Sequence, residues 1–396
     1  MSALIQQSQI RLQVYTTPAL LEEKRGASEL AIDSCGVNQP VQRKDEILKA
    51  LTDDAALQVE INMVPLPQSS SLGQARHVHD SKYIDFLESA WDRWSANPHR
   101  DPEFFANEGA HVVGDEVPAM VPGNGKSNDP SAVPGKSVTS QCTYYVTDVC
   151  APIFATLVPA LAADAAVVRA VIDAFPLVQG SPSGAYALVT HPGHHAARAS
   201  AAGYCYVNQA AVIADALRRE RAWVDKVAVI DVDYHCGNGT VGIFWDDPNI
   251  FVCSIHADPD IEYPYNCGFA DQVGGTGNPA AIGATLCLPM QRGTRWSDVP
   301  LEDVDVDYKA ALQKAVNAAK AFGAQALVVS LGVDTLARDP VAVPGAGFEV
   351  ELEDYVHIGA ALRQCGLPTV FVQEGGYDIN RLGTAVSNTL RGFCSP

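Results

Sequence analysis

The sequence predicts an α/β fold built on an open, mostly parallel β-sheet with helices on both faces. From about residue 150 onward, runs with helical spacing alternate with short strand-like runs, which is the usual order of elements in parallel sheets. The strand-like runs are continuously apolar, as at 226–230, and this is typical of strands buried on both faces. Polar residues repeatedly follow these runs, so we expect a binding site at the carboxyl edge of the sheet.

The first hundred residues predict two strands and two helices. The strands are expected at 10–15 (IRLQVY) and 58–65 (QVEINMVP), and the helices at 45–51 and 77–94. The second helix is amphipathic, because apolar side chains recur in it at helical spacing. Near its start, His77 and His79 are candidate metal ligands, although capping by Asp80 and simple packing also explain them.

The remaining two thirds of the chain alternate regularly between helix and strand. Helices are predicted where apolar residues follow the helical period, at 153–174, 207–219, 304–321, 353–364 and 379–391. Strands are predicted for the apolar runs between them, at 185–190, 226–231, 250–255, 326–331 and 369–373. We find no internal repeat and no glycine-rich phosphate loop, and we assign residues 1–396 to one domain.

Residues 97–140 differ from the rest of the chain. They are rich in proline and glycine, mix both signs of charge and have no sustained period. This composition predicts a long surface loop inserted into the domain. Such a loop either covers an active site or is a spacer without regular structure.

Composition limits the partners and the compartment. The formal net charge of −19 repels phosphate backbones, so nucleic acid is not an expected ligand, whereas a cationic substrate would be attracted. Solubility alone also explains this charge. The ten cysteines form no CxxC pair, which is typical of reduced thiols inside cells. The N-terminus lacks the pattern of a signal peptide, and the apolar run 151–168 contains two prolines and an aspartate. We therefore expect a cytoplasmic protein with no membrane partner.

The strongest chemical signal lies in residues 231–239 (DVDYHCGNG). Asp231, Asp233 and His235 alternate, so their side chains share one face of an extended chain. Carboxylate oxygens and an imidazole nitrogen together suit zinc. A strand end with helix-capping aspartates is the simpler alternative.

Other predicted strands also end in polar residues. The segments are HPGHH at 191–195, SIH at 254–256, GVDT at 332–335 and EGGY at 374–377. Because the carboxyl ends of parallel strands meet at one edge of a sheet, we expect these segments to lie together. Asp233, His235 and Asp334 would then offer zinc three protein ligands and leave one position open.

The same segments contain the other parts of a metal-assisted amide hydrolase. Zinc lowers the pKa of bound water from about 15.7 to about 7, and a neighbouring histidine can accept the proton. A tyrosine hydroxyl can stabilise the oxyanion that develops. The paired His194 and His195 need carboxylate or amide partners to fix their tautomers, and Asp231 and Asn238 are available.

These motifs, in this order, resemble the zinc-dependent histone deacetylase superfamily, which has the arginase–deacetylase fold. Within it the sequence is most similar to the bacterial acetylpolyamine amidohydrolases. The resemblance extends from residue 77 to the C-terminus through PGHHA, GYCYVNQAA, DVDYHCGNGT, SIHADPDIEYP, SLGVDT and FVQEGGY. Residues 1–75 and 97–140 match only loosely.

The resemblance implies a role for each matching residue. One zinc ion per subunit would be held by Asp233, His235 and Asp334. His195 would be the general base. His194 would be its partner and would help to protonate the leaving amine. Tyr377 would polarise the carbonyl group.

Further roles are implied around this centre. Asp231 and Ser254 match residues that hold a structural potassium ion, and Asn238 would support the histidine pair. Tyr204 matches the aromatic wall of the acyl-chain channel, and Tyr265 would lie opposite it. Core packing is the alternative explanation for both tyrosines.

Three features depart from the family pattern. Cys236 stands where a second histidine is usual, but strand alternation turns it away from His235, so the three zinc ligands survive. Thr190 and His191 replace the usual Arg-Pro, and His191 belongs either to the surface or to the pocket rim.

The third departure concerns the long loop, which in the resembled branch narrows the entrance, helps form a homodimer and carries acids for the cationic end of the substrate. Residues 136–143 (KSVTSQCT) contain no acid. Glu103, Glu108, Asp115 and Glu116 lie earlier in the segment and are candidates to take this role.

We therefore expect a zinc-dependent amidohydrolase that removes an acetyl group from an amine nitrogen. Its substrate would be a small acetylated amine, such as an acetylpolyamine or a natural-product intermediate. One alternative is an acetyl-lysine deacetylase acting on histones or other proteins. Another is a non-catalytic metal-binding homologue, which the unusual Cys236 favours.

Overall fold

One eight-stranded β-sheet organises the described residues. The computed structural model describes residues 10–18, 40–98, 117, 133–148, 150–176, 183–298, 304–342 and 347–395. The strands are β1 (Leu12–Thr16), β2 (Val59–Met63), β3 (Gly184–Ala187), β4 (Val227–Asp231), β5 (Ile250–Ala257), β6 (Thr285–Met290), β7 (Ala326–Leu331) and β8 (Thr369–Gln373). They lie in the order β2-β1-β3-β8-β7-β4-β5-β6, and each neighbouring pair is parallel. The expected parallel α/β fold is confirmed.

Helices cover both faces of this sheet. They are α1 (Pro40–Asp53), α2 (Ser81–Ser95), α3 (Val138–Tyr145), α4 (Leu157–Ala174), α5 (Gln209–Glu220), α6 (Asn238–Phe244), α7 (Tyr308–Phe322), α8 (Asp354–Arg363) and α9 (Leu382–Cys394). Short 3-10 turns occupy Gly73–His77, Pro279–Ala281 and Val304–Val306. Among the described residues, no helix combines the length and the apolar character needed to cross a membrane.

Two apolar layers fill the spaces between sheet and helices. Along β4, Val227 and Val229 point into one layer, which also holds the buried faces of α2, α4 and α5. Ala228 and Ile230 point into the other layer, with α1, α7, α8 and α9. Successive side chains of a strand alternate between faces, so a strand buried on both sides must be apolar throughout.

One strand and two helices of the structure were not predicted from the sequence. Strand β6 begins with a threonine and contains Pro289, so its apolar pattern is broken. Helix α6 is flanked and interrupted by glycines, at 237, 239 and 242, and this composition predicts a turn. Helix α3 begins inside the predicted loop 97–140, so the loop assignment is wrong for residues 138–140. The Ser137 side chain caps α3 by accepting from Ser140 N. Most of the predicted loop, at 99–116 and 118–132, lies outside the described residues.

Helix α2 starts later than predicted because Asp80 caps it. The Asp80 carboxylate accepts a hydrogen bond from Lys82 N at 2.7 Å. His79 is buried just before the helix, where its ring nitrogens contact Ala197 O at 2.8 Å and Asn208 N at 2.9 Å. His79 therefore has a packing role, because both of its ring nitrogens are used by the backbone and are not free to bind a metal. His77 is exposed. The assignment of the whole chain to one domain stays a prediction.

Two glycines allow α8 and α9 to pack in close contact. A methyl group at Gly359 would overlap the carbonyl oxygen of Thr389, and one at Gly392 would overlap that of Val356. The two helix backbones therefore touch directly. Such close approach leaves no room for a side chain, because interiors are packed to crystal density.

Substituting Gly359→Ala should lower the free energy of unfolding by about 2–3 kcal/mol, because overpacking forces the backbones apart. Urea unfolding followed by circular dichroism measures this. The matched control is Gly242→Ala in α6, where an added methyl group meets nothing within 4 Å. That control should be neutral or stabilising by up to about 1 kcal/mol. Equal stability of the two variants would contradict the close-packing explanation.

Candidate active site and metal centre

The three predicted metal ligands converge at the carboxyl edge of the sheet. Asp233 and His235 follow β4, and Asp334 follows the neighbouring β7. One ligand atom from each lies within 4.8 Å of the other two, and all three residues are buried. His235 Nδ1 is 3.2 Å from Asp334 Oδ2 and 3.4 Å from Asp233 Oδ1. Two carboxylates and one imidazole converging in this way fit a divalent cation such as zinc.

Backbone hydrogen bonds hold the two carboxylates in place. Asp334 Oδ1 accepts from Tyr234 N at 2.9 Å. Asp233 accepts from His235 N at 2.9 Å and from Gly375 N at 2.8 Å. Each carboxylate is therefore tied to a loop that follows a different strand, and the three loops form one unit.

The two histidines of the HPGHH segment have different partners. His194 Nδ1 lies 3.0 Å from Asp231 Oδ2, and His195 Nδ1 lies 2.7 Å from Asn238 Oδ1. Burial lowers the pKa of His195, and the neighbouring His194 and His235 rings lower it further. Burial also lowers the pKa of His194, but Asp233 and Asp231 outweigh it and raise that pKa well above its usual value. The His195 ring thus favours the neutral form, and the His194 ring favours the protonated form.

Glu374 supports the histidine pair, and the sequence analysis gave it no role. Its carboxylate accepts from Gly193 N at 2.6 Å and from His194 N at 3.1 Å. Ser330 Oγ donates to its other oxygen at 3.0 Å. Burial raises the pKa of Glu374 to about 7. The sequence feature that could have identified Glu374 is an acidic residue at the very end of an apolar strand.

His194, Cys205 and Glu374 form a second group with metal-ligand spacing. Its polar atoms already have protein partners, since His194 is bonded to Asp231 and Glu374 to two backbone amides and Ser330. We therefore interpret it as a hydrogen-bond network and not as a metal site.

Arg43 is a further residue that sequence reasoning missed. It is buried on α1, where its Nε donates to Gly376 O at 2.6 Å and its Nη2 donates to Glu374 O. Its guanidinium lies 4.6 Å from the centre of the Tyr377 ring. Nothing in the local sequence distinguishes it from a surface arginine, because its partners are more than 300 residues away.

Tyr377 is buried and held by its backbone as well as by Arg43. Its N–H donates to Asp339 Oδ2 at 2.8 Å. Burial raises the pKa of the Tyr377 phenol, Arg43 opposes this, and Asp334 and Asp233 add to the rise. The phenol therefore stays protonated and is able to donate a hydrogen bond.

The two tyrosines predicted to line the channel have different surroundings, and their role stays a prediction. The Tyr204 ring lies 5.9 Å from that of Tyr377, at the site. Tyr265 is 58% exposed, and its ring lies 6.4 Å from that of Tyr263. The Tyr263 ring in turn is perpendicular to that of His195 at 4.9 Å. Tyr263 occupies this place because its phenol donates to Asp148 at 2.7 Å, a distant partner that the sequence did not indicate.

Ser254 lies next to Asp231, as the resemblance implied. The two residues pair in the β4–β5 register. Ser254 Oγ contacts His256 Nδ1 at 2.9 Å and accepts from Gly237 N at 3.2 Å.

Cys236 and His191 are both buried away from the ligand cluster. The Cys236 thiol packs on the backbone of Gly268, within hydrogen-bonding reach of Cys267 and Cys287. His191 is only 4% exposed and lies 3.4 Å from Asp164 Oδ2. The expectation that His191 lies at the surface or the pocket rim is therefore wrong, since a buried carboxylate is its partner.

Comparison with known proteins identifies the family. The profile of the histone deacetylase domain matches residues 38–393. The chain belongs to the histone deacetylase family. Its fold is therefore the arginase–deacetylase-like α/β fold, and the protein is a deacetylase, a hydrolase of acetyl amides.

Several relatives of this deacetylase are described as acetylpolyamine amidohydrolases or aminohydrolases. Acetylpolyamine amidohydrolase 2 of Pseudomonas aeruginosa is 35% identical over 341 residues, which is 86% of this chain and 88% of that one. The acetylpolyamine amidohydrolase of Mycoplana ramosa is 33% identical, over 83% and 85%. The crystal structure of acetylpolyamine aminohydrolase from Burkholderia pseudomallei has a TM-score of 0.71 and 27% identity, and the match covers 96% of this chain and 98% of that one.

Replacing Cys236 by alanine should leave metal content intact and change turnover by less than about threefold, because the thiol points away from the ligand cluster. The small cavity should cost roughly 1 kcal/mol of stability. Metal analysis measures the bound metal, acetate release measures turnover, and urea unfolding measures stability. The control is Asp334→Asn, which should lose the metal. A large loss of turnover in Cys236→Ala, with metal still bound, would contradict this view and favour a role for the thiol.

Proposed function

We propose that the protein is a zinc-dependent amidohydrolase that removes an acetyl group from the amine nitrogen of a small molecule and releases acetate. The convergence of Asp233, His235 and Asp334 within 4.8 Å of one another carries this proposal. The relatives named as acetylpolyamine amidohydrolases support the substrate class.

Zinc would be held by Asp233, His235 and Asp334, one ion per subunit. When bound, it supplies a water of lowered pKa and polarises the acetyl carbonyl. The protein's own residues carry the remaining chemistry.

His195 acts as the general base. Its Nδ1 faces the side-chain oxygen of Asn238 at 2.7 Å, so Nδ1 carries a hydrogen and Nε2 keeps a free lone pair. The lowered pKa of His195 keeps this lone pair available to take a proton from the attacking water.

His194 supplies the proton that the leaving amine needs. Asp231 holds its Nδ1, and the raised pKa of His194 keeps the ring protonated. Glu374 fixes the backbone of the same segment through two amide hydrogen bonds. The two histidines therefore divide the tasks of base and acid between them.

Tyr377 stabilises the negative charge that develops on the acetyl carbonyl oxygen. Its phenol remains protonated because burial raises its pKa. Arg43 and Asp339 hold its loop, so the donor is positioned before the reaction begins.

A potassium ion beside the zinc is a further part of the proposal. The adjacent Asp231 and Ser254 support it, since hard oxygen ligands suit such a cation. The cation would reduce the repulsion among the buried carboxylates.

The preferred substrate is a small acetylated amine with a cationic end. The net charge of −19 favours such a molecule over a nucleic acid. Glu103, Glu108, Asp115 and Glu116 lie outside the described residues, and we propose that they contact its cationic end. We also propose that the 97–140 segment contributes to a homodimer. A cytoplasmic location is supported by the nine cysteines of the described part, all of them free thiols.

Tyr377→Phe should lower kcat by roughly 10²–10³-fold while zinc content stays at one per subunit, because one oxyanion donor is lost. Acetate release from a panel of acetylated amines and acetyl-lysine peptides measures the rate, and a chelator should abolish it. Zinc readdition is the control and should restore the rate. No chelator-sensitive acetate release from any compound would refute the hydrolase, and bound zinc without turnover would support the non-catalytic alternative.

Deleting residues 99–132 should admit acetyl-lysine peptides and convert a dimer into a monomer, if this segment narrows the entrance and forms the interface. Peptide turnover and light scattering measure the two effects. The matched control keeps the segment and replaces Glu103, Glu108, Asp115 and Glu116 by the corresponding amides. This variant should raise only the KM for acetylated polyamines, because the segment keeps its size but loses the negative charges that would bind a cationic substrate. Unchanged peptide exclusion in the deletion variant would argue against a gating segment.

A further inference from the structure

The Cys236 thiol, which the proposed chemistry does not use, belongs to a cluster of three thiols. Cys236 follows β4, Cys267 lies in the chain after β5, and Cys287 lies on β6. Cys236 is within hydrogen-bonding reach of both of the others, and all three are free thiols. Cys236 and Cys287 are each 1% exposed, whereas Cys267 is only partly buried. Of the three, Cys267 is therefore the thiol that a solute can reach.

The backbone holds Cys267 against Cys236. The next residue, Gly268, has φ +102°, and a methyl group added to it would lie 2.9 Å from Cys236 Sγ. Gly268 N donates to Gln272 Oε1 at 2.6 Å, and His256 Nε2 lies 2.9 Å from Gly268 O. These bonds involve neither sulfur atom, so the two thiols are kept together independently of their own contact.

The contact between the two thiols also prepares Cys267 for oxidation. The Cys236 thiol donates a hydrogen bond to the Cys267 sulfur, and this bond lowers the pKa of Cys267. The thiolate is the form of cysteine that reacts with peroxides. Cys267 thus combines access from solvent, thiolate character and a second thiol within reach, which are the features of a redox-sensing cysteine.

Cys236 lies in the turn that carries two parts of the candidate site. His235, a proposed zinc ligand, precedes it, and Asn238, whose side-chain oxygen faces the base His195 at 2.7 Å, follows two residues later. Asn238 N also donates to Cys236 O at 2.7 Å. A bond that pulls the Cys236 sulfur toward Cys267 therefore acts directly on the backbone that positions both side chains.

We propose that Cys236 and Cys267 form an oxidative modification site, in which peroxide joins them by a disulfide bond and this bond lowers turnover by displacing the turn from His235 to Asn238. The effect on turnover rests on the proposed function, whereas the formation of the disulfide does not. In the cytoplasm, where thiols are kept reduced, disulfides of this kind are transient and serve redox sensing. Cys236 is then a regulatory residue and not a sign of lost catalysis.

The oxidation proceeds in two balanced steps. The Cys267 sulfur attacks hydrogen peroxide, the O–O bond breaks, and the departing hydroxide takes the thiol proton, which leaves a sulfenic acid on Cys267 and one water. The Cys236 sulfur then attacks the sulfenic sulfur, the S–O bond breaks, and the departing hydroxide takes the Cys236 proton to form a second water. Peroxide accepts the two electrons that the thiols lose, and an added dithiol returns them by thiol–disulfide exchange.

The test treats the zinc-loaded protein with hydrogen peroxide, blocks the remaining thiols by alkylation and maps the peptides by mass spectrometry. A peptide that links Cys236 to Cys267 is expected. The kcat for acetate release should fall by at least about tenfold, because a displacement of about 1 Å in an active site can cost about 10²-fold. Dithiothreitol should restore kcat and remove the linked peptide.

Variants separate this pair from the other thiols. Cys236→Ala and Cys267→Ser should each abolish the inactivation by peroxide, because each removes one half of the disulfide. Cys287→Ala should still be inactivated, since Cys287 is not the reacting partner. The matched control is Cys150→Ser, which removes another partly buried thiol and should also leave the inactivation unchanged.

Three results would overturn the proposal. An oxidised wild type that lacks a peptide linking Cys236 to Cys267 would do so even if no variant folds. A peptide linking Cys236 to Cys287 would show that the pairing is wrong. Inactivation that persists in both Cys236→Ala and Cys267→Ser would place the oxidised group elsewhere.

Failure of the proposed function gives a different result. A wild type that forms the expected linked peptide but releases no acetate from any amide, even when reduced, would support the modification site and overturn the hydrolase. The two failures are therefore distinguishable.

Discussion

The burial of several carboxylates at one edge of the sheet is the constraint on which the rest of the structure depends. Asp231, Asp233, Asp334 and Glu374 are all almost inaccessible to water. Burial and the neighbouring Asp233 raise the pKa of Asp334 to about 7. Buried charges of one sign are costly unless partners compensate for them. Histidine rings and backbone amides supply part of this compensation, and the proposed cation would supply more.

This constraint also explains why distant parts of the chain meet here. Glu374 links the end of β8 to the HPGHH segment. Arg43 brings positive charge from α1 to the loop of Tyr377. Asp148 joins the chain after α3 to Gly203 and to the Tyr263 phenol. Each link satisfies a buried polar group, and each also restricts the position of a reacting side chain. Stability and preorganisation therefore depend on the same hydrogen bonds.

Sequence reasoning succeeded where the signal was local. The strands around Asp233 and Asp334 are continuous apolar runs with polar ends, and parallel pairing brings such ends together whatever the details. It failed where a residue is defined by a remote partner. Arg43 and Tyr263 look ordinary until Gly376 and Asp148 are placed beside them. Strand β6 and helix α6 were missed because proline and glycine obscure their periodicity.

The position of β8 has a consequence for biosynthesis. It lies between β3 and β7 and is the only strand that connects the β2-β1-β3 group with the β7-β4-β5-β6 group, yet it is the last strand of the described chain. Ribosomes release the polypeptide from its N-terminus onward, so the two groups have no bridging partner until residue 373 has emerged. Glu374 and Tyr377 arrive at the same moment. A nascent chain stalled before that point contains Asp233, His235 and Asp334 but lacks Glu374 and Tyr377, so the candidate site is assembled only after β8 has been made.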